Sequence, residues 1–288
     1  MKTLVIFLAA VLLGFAAYAA AEDVRTGVWT ADILKDTHVE ISVFPGHATE
    51  NRFKGNIIGF RVPLSRLSGF TGADGDTKFT LRAAAGAIDF EGHFRDAQGA
   101  GHFVFTPSAD FVREMAKLGY TDFREDSMLI YTVHDLSPST IRELRAMGYD
   151  PSRRELDEVA IFHITPEAIR EFARLGYPNL TLRELVNMRV GNVDAGYISA
   201  LRDAGYDHLT AHEISEMAIL GVTPKYIREM QAIGLKDLSS RQLRDMKAIG
   251  VTPEYIKEMN DAGVHELRKI IDLKATGAAD ILLKKRAH

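Results

Sequence analysis

A glycine recurs at a nearly constant interval through the last two thirds of the chain. The copies follow a period of about 29 residues, and they are Gly119, Gly148, Gly176, Gly205, Gly234 and Gly263. A fixed period in this range is typical of stacked supersecondary units, none of which can bury its apolar face alone. The sequence therefore predicts an α-helical array of about six helical hairpins over residues 107–283, in which the first and last repeats are atypical.

Each repeat marks where its two helices begin. The first helix follows a small polar cap, usually with proline at the first helical position, where its missing N–H costs nothing. The predicted caps are Ser137, Thr165, Asp194, Thr223 and Thr252. The second helix begins with a capping box, in which a Ser or Thr and a Glu or Gln three residues later bind each other's backbone N–H. The predicted boxes are Ser152–Glu155, Thr181–Glu184, Thr210–Glu213 and Ser239–Gln242.

Glycine also ends the helices, because it takes the left-handed conformation without steric cost. Gly221 and Gly250 end two second helices, and His163 and Asn192 stand at the matching places. Asparagine tolerates that conformation and histidine fits it less well, so we expect a different exit at His163. Residues 264–283 are predicted to form a closing helix before a basic tail at residues 284–288.

Residues 22–106 alternate apolar and polar side chains, which is the period of a half-buried strand. Val39, Ile41 and Val43, for example, alternate with polar neighbours. Strands are predicted at residues 28–33, 39–43, 57–62, 79–81, 87–95 and 102–105, with residues 96–101 as a hairpin loop. About five to seven such strands favour an antiparallel sandwich or a partial barrel, with Trp29 in its core. Together with the array, they make the predicted fold class α+β.

Two histidines on the predicted sheet raise the question of a metal site. His93 and His102 fall on neighbouring strands, close in sequence to carboxylates. If Phe94 pairs with Phe103, however, His102 lies opposite Arg95 and diagonal to His93, which is a poor ligand arrangement. We therefore predict no metal site and no other cofactor.

The sequence also lacks a recognisable catalytic signature. His208 and His212 have the spacing of helix-borne metal ligands, but His208 precedes the cap Thr210 and so does not lie on the helix. Gly86 and Gly92 are interpreted as turn or bulge positions rather than as part of a phosphate loop. No Ser-His-Asp order or nucleophile elbow is found, and the protein is predicted not to be an enzyme.

Residues 1–21 have the features of a cleavable signal peptide. Lys2 precedes an apolar run from Leu4 to Phe15, and small residues follow, so cleavage is expected after Ala19 or Ala21. The alternative is an uncleaved anchor, because residues 3–21 carry no charge and are just long enough to span a bilayer. We predict a periplasmic or secreted protein, which contacts a membrane only if this segment is retained.

Composition excludes several other classes of protein. A hydrophobic content of 46% with 26% charged residues is ordinary for folded domains. With no cysteine, the chain can form neither a disulfide framework nor a lipid attachment through a thiol. Loss of Lys2 with the signal segment would leave 34 basic against 39 acidic residues and a net charge of −5. Such a protein has no global attraction to nucleic acid.

Exposed residues that recur without a packing role are the candidates for binding. Turning Ile227 and Met230 inward places Arg228 on the exposed face of its helix. The first helices then carry a basic row and an acidic row, both interrupted in the fourth repeat. These rows are Arg113, Arg142, Arg170, Ser199, Arg228 and Lys257, and Glu114, Glu143, Glu171, Ala200, Glu229 and Glu258, to which Arg241 and Arg244 of a second helix are added. They predict either a partner-binding edge or a solvated face with Arg–Glu pairs between repeats.

The repeat pattern TPxxIREMxxxGYxxLTxxEL occurs with variations at residues 165–185 and 223–243. It resembles repeats in the extracytoplasmic parts of bacterial membrane metallopeptidases of the beta-lactam-sensor type and in stand-alone exported proteins of unknown function. The resemblance covers roughly residues 108–263. It implies no catalytic residue, because the zinc-binding His-Glu-x-x-His motif of these peptidases is absent here.

These features lead to three functional hypotheses. The first is a non-enzymatic exported scaffold that binds a protein or peptide of the cell envelope through the repeat surface. The second is a small-ligand or lipid carrier built on the β domain, or a regulatory or sensor partner of an envelope protein. The third is a hydrolase with acidic residues at the domain junction. A roomy apolar cavity in the sheet would favour the carrier, a solid core the scaffold, and clustered carboxylates with raised pKa values the hydrolase.

Overall fold

The computed structural model describes residues 25–34, 37–46, 57–123 and 126–278, so the predicted signal segment and basic tail lie outside the described residues. Within these ranges the protein is α+β, as predicted. One antiparallel sheet of seven strands curls into a half-barrel, and twelve helices follow it. The partial barrel is therefore the correct one of the two predicted β architectures. None of the described helices is long and apolar enough to cross a membrane.

The sheet pairs its strands in the order β3-β2-β1-β7-β6-β5-β4. The strands are β1 Arg25–Leu34, β2 His38–Pro45, β3 Ile58–Pro63, β4 Leu67–Ser68, β5 Gly75–Ala83, β6 Gly86–Arg95 and β7 Gln98–Pro107. Buried and exposed residues alternate along them, because one face packs the core and the other meets solvent. Trp29 is 1% exposed and lies against the rings of Phe79, Phe90 and Phe94. It is a core residue, as predicted.

The hairpin between β6 and β7 differs from the prediction. Arg95 pairs with Gln98, so the loop is only Asp96–Ala97, with φ angles of 52° and 65°. Two successive left-handed residues make the tight turn that fits the twist of a hairpin. Neither residue is glycine, so this turn carries no strong sequence signal. The resulting register places His102 opposite Glu91 rather than opposite Arg95.

Gly92 lies in the middle of β6, directly opposite Gly101 of β7, and is not a turn or a bulge. The indole of Trp29 packs close to this glycine pair and donates from Nε1 to the His102 carbonyl oxygen at 3.0 Å. A side chain at Gly92 would occupy space that the indole and the neighbouring strand fill. The two glycines are thus explained by the close approach of an aromatic ring.

The helices occupy residues 109–276. They are α1 Ala109–Lys117, α2 Ser127–Val133, α3 Pro138–Ala146, α4 Arg153–Ile161, α5 Pro166–Arg174, α6 Leu182–Val190, α7 Ala195–Asp203, α8 Ala211–Ile219, α9 Pro224–Ala232, α10 Ser240–Ala248, α11 Pro253–Asp261 and α12 Leu267–Thr276. All nine predicted cap residues accept the expected backbone hydrogen bond, and the four capping boxes are complete.

The helix exits are also confirmed, with one difference. The six repeating glycines have φ angles between 83° and 95°. His163 has φ 48° and Asn192 has φ 51°, so the expectation of a different exit at His163 is wrong. In the closing segment, α12 ends at Thr276, because Gly277 takes a left-handed conformation (φ 70°), and residues 279–283 of the predicted helix lie outside the described residues.

The chain divides into two compact units, Met1–His163 and Ile164–His288. In the first unit, the unpredicted helix α2 packs against β5, β6, β7 and α4. In the second unit, α6, α8 and α10 pack side by side, and α7 packs against α9. The division falls inside the repeat array, so the predicted domain limit at residues 106–107 stays a prediction.

Candidate functional site

Arg142 and Glu114 form an ion pair between consecutive first helices of the first unit. They lie on α3 and α1, in neighbouring repeats. Hydrogen bonds from Lys117 and then from Arg142 lower the pKa of the Glu114 carboxyl group. Of the two predictions for these rows, the one of Arg–Glu pairs between repeats is thus correct for Arg142. Arg113 is paired within its own helix, with Asp110.

In the second unit, the same rows form the surface that we call the first-helix face. It consists of Arg170, Glu171, Ser199, Ala200, Arg228, Glu229, Lys257 and Glu258. Arg170 lies 3.2 Å from Glu167, and Glu229 lies 3.6 Å from Lys225. Both are pairs on the surface of one helix, which contribute only a few tenths of a kcal/mol.

The two charged rows are interrupted at α7. Ala200 stands where the preceding repeat would supply a carboxylate to Arg228. Ser199 stands where the following repeat would supply a cation to Glu171. Arg228 and Glu171 are both exposed, and neither makes an ion pair within the described ranges. The face therefore presents small side chains on α7 between a carboxylate on α5 and a guanidinium on α9. Lys257 on α11 likewise has no ion pair among the described residues.

The two predicted arginines of the second helix α10 differ from each other. The Arg241 side chain is 84% exposed and lies 3.8 Å from Asp245. The Arg244 side chain is only 18% exposed and is ion-paired with Glu216 of the neighbouring helix α8. Arg244 joins two helices and is not an exposed recognition residue, which corrects the prediction.

Tyrosine hydroxyls link consecutive repeats, a role that the sequence analysis missed. Tyr206 donates to the carbonyl oxygen of Leu238 at 2.6 Å, and Tyr177 donates to that of Leu209 at 3.1 Å. These carbonyls immediately precede the caps of the next second helices, so the Gly-Tyr dipeptides both end one helix and position another. Tyr197 of α7 also links two repeats, because its hydroxyl donates to the Val222 carbonyl oxygen at 2.7 Å. The return of tyrosine to the same places in successive repeats was the available signal.

A buried polar cluster joins α2 to α4 in the first unit. Asp157, only 6% exposed, accepts hydrogen bonds from the Tyr131 hydroxyl at 2.8 Å and from Arg153 at 3.2 Å. Arg153 also donates to the buried Ser127 hydroxyl at 2.7 Å and stacks over the Phe123 ring. Burial, followed by the bond to Asp157, raises the pKa of Tyr131. Every polar group is paired internally, and the cluster therefore has the properties of a structural link.

His134 and His163 lie at the opposite ends of α2 and α4 from this cluster. Their rings meet edge to face, with centroids 5.3 Å apart. Burial of the His134 imidazole, and secondarily repulsion from His163, lowers the pKa of His134 to about 4. The folded protein therefore holds His134 neutral through the pH range in which an exposed imidazole becomes charged.

This lowered pKa predicts a loss of stability in mild acid. The contribution is complete above the unfolded pKa of about 6.5 and is lost as the pH falls towards 4, because the unfolded chain then binds the proton. Allowing for solvent screening of a partly exposed ring, we expect roughly 1–2 kcal/mol. Between pH 7 and pH 4, the free energy of unfolding in urea should fall by this amount more for the wild type than for His134→Leu. His208→Leu, at a 93% exposed side chain, should follow the wild type. Parallel curves for wild type and His134→Leu would contradict the assignment.

The β domain has a shallow, open depression at one end of its central strands. A hollow of about 600 Å³ is lined by Thr30, Asp32, His93, Arg95, Gln98 and neighbouring residues. Gln98 bridges to Asp32 at 3.0 Å, and His93 lies 3.0 Å from Asp76. On the apolar face of the sheet, Trp29 packs with the rings of Phe79, Phe90 and Phe94. Among the described residues, no three His, Asp or Glu side chains are grouped so that they could hold a metal ion.

The resemblance of the repeats to those of beta-lactam-sensor-type metallopeptidases stays a prediction, and each unit is interpreted from its own residues. In comparisons with known proteins, no family model matches the chain, and neither a curated protein nor a solved structure matches it at a significant level.

Proposed function

We propose that this chain is a non-enzymatic exported protein that binds a protein or peptide partner through the first-helix face. The observation that carries the proposal is the interruption of the charged rows at α7, where Ser199 and Ala200 stand. Arg142 is held by a carboxylate of the preceding repeat, whereas Arg228 and Glu171 are exposed without an ion pair within the described ranges. A guanidinium that is not engaged internally can make bidentate bonds to a partner's carboxylate.

Two carboxylates of the second unit have a structural role at helix starts. The capping carboxylates Glu184 and Glu213 have lowered pKa values, chiefly because each accepts a hydrogen bond from the backbone N–H of its cap residue. Their protonation is thus coupled to helix stability. A general acid would instead need a raised pKa and a cleft.

The predicted signal segment supports a site of action in the periplasm or outside the cell. The resemblance of the repeats to extracytoplasmic repeats supports the same location. Within such a compartment the partner is a protein or peptide of the cell envelope, and a regulatory role towards that partner is compatible with the same face. The net charge of about −5 after cleavage favours no nucleic acid partner.

The proposal is tested by comparing Arg228→Glu with Arg142→Glu. Each variant is expressed in the cells that naturally make the protein, and the partner is captured from their cell envelope by chemical crosslinking. Arg228→Glu should reduce the captured partner at least tenfold without loss of thermal stability, because the charge is exposed and has no internal role. Arg142→Glu should keep the partner, because its charge is used between repeats. Unchanged capture by a folded Arg228→Glu protein would refute the role of the face.

A further inference from the structure

A second surface of the repeats carries three parallel rows of side chains. It lies on α6, α8 and α10, which pack side by side in the second unit. Near the helix starts the row is Arg183, His212 and Arg241; in the middle it is Asn187, Glu216 and Asp245; at the ends it is Val190, Ile219 and Ala248. Steps of four and three residues keep each set of three on one side of its helix. We call these nine residues, with Leu220, the second-helix face.

The end row is apolar and yet exposed. Val190 is 50% exposed, Ile219 is 51% exposed and Leu220 is 41% exposed. Packing of these helices does not use them, since the core positions are filled by residues such as Met188 and Met217, both 0% exposed. Neighbouring exposed apolar side chains of this size indicate an interaction surface.

The row at the helix starts is basic. Arg183 is exposed and makes no ion pair within the described ranges, and Arg241 makes only the 3.8 Å contact to Asp245. His212 lies 3.4 Å from Glu216, but Glu216 is also bound by the half-buried Arg244. The neighbouring carboxylates Glu184 and Glu213 accept hydrogen bonds in their capping boxes, so the guanidinium groups of Arg183 and Arg241 are the groups of this edge that can bind a partner's carboxylate.

The spacing of the rows fits an α-helix as the bound element. Seven residues separate the basic row from the apolar row, which is about 10.5 Å along a helix axis, and a helix with its side chains is about 10–12 Å wide. Neighbouring helices of a stack lie roughly 8–10 Å apart, which matches an apolar side chain at every seventh residue of a helix laid across them. An extended peptide is narrower and would not cover both rows.

A second copy of the chain does not fit the same surface. In a two-fold dimer whose axis runs along the helices, the basic rows of the two copies would face each other. If the axis ran across the helices, the basic row of each copy would face the apolar row of the other. An anionic bilayer fits poorly as well, because Glu216 and Asp245 lie between the basic and apolar rows. A different chain with carboxylates on one flank only has neither difficulty.

We propose that the second-helix face binds an amphipathic helix of another protein. The apolar side chains of that helix, seven residues apart, lie over Val190 and Ile219, and the carboxylates on its flank face Arg183 and Arg241. The inference rests on the proposed function, since it assigns a class of partner to the same repeat array, but it uses different residues. A failure here can therefore be separated from a failure of the first-helix face.

The test uses the purified full chain and two synthetic helical peptides, each about three heptads long. Both carry leucine at every seventh position and at the adjoining core positions; one has glutamate and the other lysine on a single flank. Fluorescence anisotropy should show at least tenfold tighter binding of the glutamate peptide. A Val190→Ser, Ile219→Ser double variant should weaken that binding at least tenfold. Ile233→Ser, which removes a 41% exposed apolar side chain from the C-terminal end of α9, should change it less than twofold.

Charge reversal and vesicles complete the test. Arg183→Glu with Arg241→Glu should make the lysine peptide the tighter ligand. Equal affinity for both peptides, no binding of either, or binding that survives the double serine variant would overturn the inference, as would a preference for phosphatidylglycerol vesicles that the double serine variant abolishes. If the peptides fail while Arg228→Glu still abolishes partner capture, only this inference is lost and the proposed function stands.

Discussion

Replacing Asp157 by alanine is expected to lower the free energy of unfolding of the first unit by about 3 kcal/mol, at the lower end of the cost of breaking a buried ion pair, because the remaining Arg153 is only partly buried. Asp157 is 6% exposed and accepts from Tyr131 and Arg153. Without the carboxylate, the Tyr131 hydroxyl loses its acceptor in a buried site, and the partly buried Arg153, with 26% of its side chain exposed, loses its counter-charge. Both effects act on the contact between α2 and α4.

Two variants bracket this result. Asp157→Asn keeps an oxygen acceptor, so its cost should be clearly smaller than that of Asp157→Ala. Asp150→Ala removes a carboxylate whose side chain is 78% exposed and which lies 2.8 Å from Arg145, so it should cost about 0.5 kcal/mol or less. Trp29 is the only tryptophan, and its fluorescence reports unfolding of the first unit in urea. An equal cost for Asp157→Ala and Asp150→Ala would show that the cluster does not hold the helices together.

Gly92→Ala is expected to destabilise the β domain by about 3 kcal/mol, at the upper end of the usual cost of overpacking. The added Cβ would lie 2.2 Å from the Ala100 carbonyl oxygen and 2.8 Å from both the Gly101 Cα and the Trp29 ring. Two of these neighbours are backbone atoms of the paired strand, which cannot move away as a flexible side chain would. The paired strand and the indole must both shift, which disturbs the hydrogen bond from the indole Nε1 to the His102 carbonyl oxygen.

Gly59→Ala is the matched control in the same sheet. Among the described residues, its Cβ would meet only the Ser42 hydroxyl at 3.7 Å, which is ordinary van der Waals contact. Stability should therefore stay within about 0.5 kcal/mol of the wild type, with a small gain because alanine restricts the unfolded chain. Unfolding midpoints in urea and the emission wavelength of Trp29 measure both variants. A Gly92→Ala protein as stable as Gly59→Ala would mean that the indole does not need this space.

Local signals in the sequence predicted the helical repeats well. A cap and its partner are three residues apart, and a glycine exit lies within a few positions of the carbonyl groups it helps to satisfy, so each rule is contained within a short stretch of chain. Thr223 and Gly234 illustrate this: both predicted roles are confirmed. The period of two likewise predicted six of the seven strands, and β4, only two residues long, was missed.

Interactions between distant residues could not be predicted in the same way. The tight turn at Asp96–Ala97 uses two non-glycine residues with left-handed backbone, so the sequence suggested a longer loop and a wrong register. Helix α2 has no side-chain hydrogen bond at its cap and is buried almost throughout, which removes both the start signal and the amphipathic pattern. Arg244 was predicted to be exposed because nothing local shows that Glu216, in the preceding repeat, binds it.

The candidate binding surface depends on both kinds of information. Sequence spacing predicted the two charged rows and their interruption at Ser199 and Ala200. It left open whether the rows bind a partner or each other. The structure gives different results along the rows: Arg142 is paired between repeats, whereas Arg228 has no ion pair within the described ranges. The interruption therefore became the site at which partner binding is proposed.

The most direct measurement is site-specific photocrosslinking in living cells from position 199, where an exposed serine lies between Glu171 and Arg228 in the row of first helices. A photoreactive amino acid at Ser199 should form one dominant crosslink to an envelope protein or peptide, and Arg228→Glu in the same chain should remove it. The same probe at Glu143, an exposed position on α3 of the first unit, should not form that crosslink. A crosslink from Ser199 that persists with Arg228→Glu, or no crosslink from Ser199 at all, would contradict partner binding by the first-helix face.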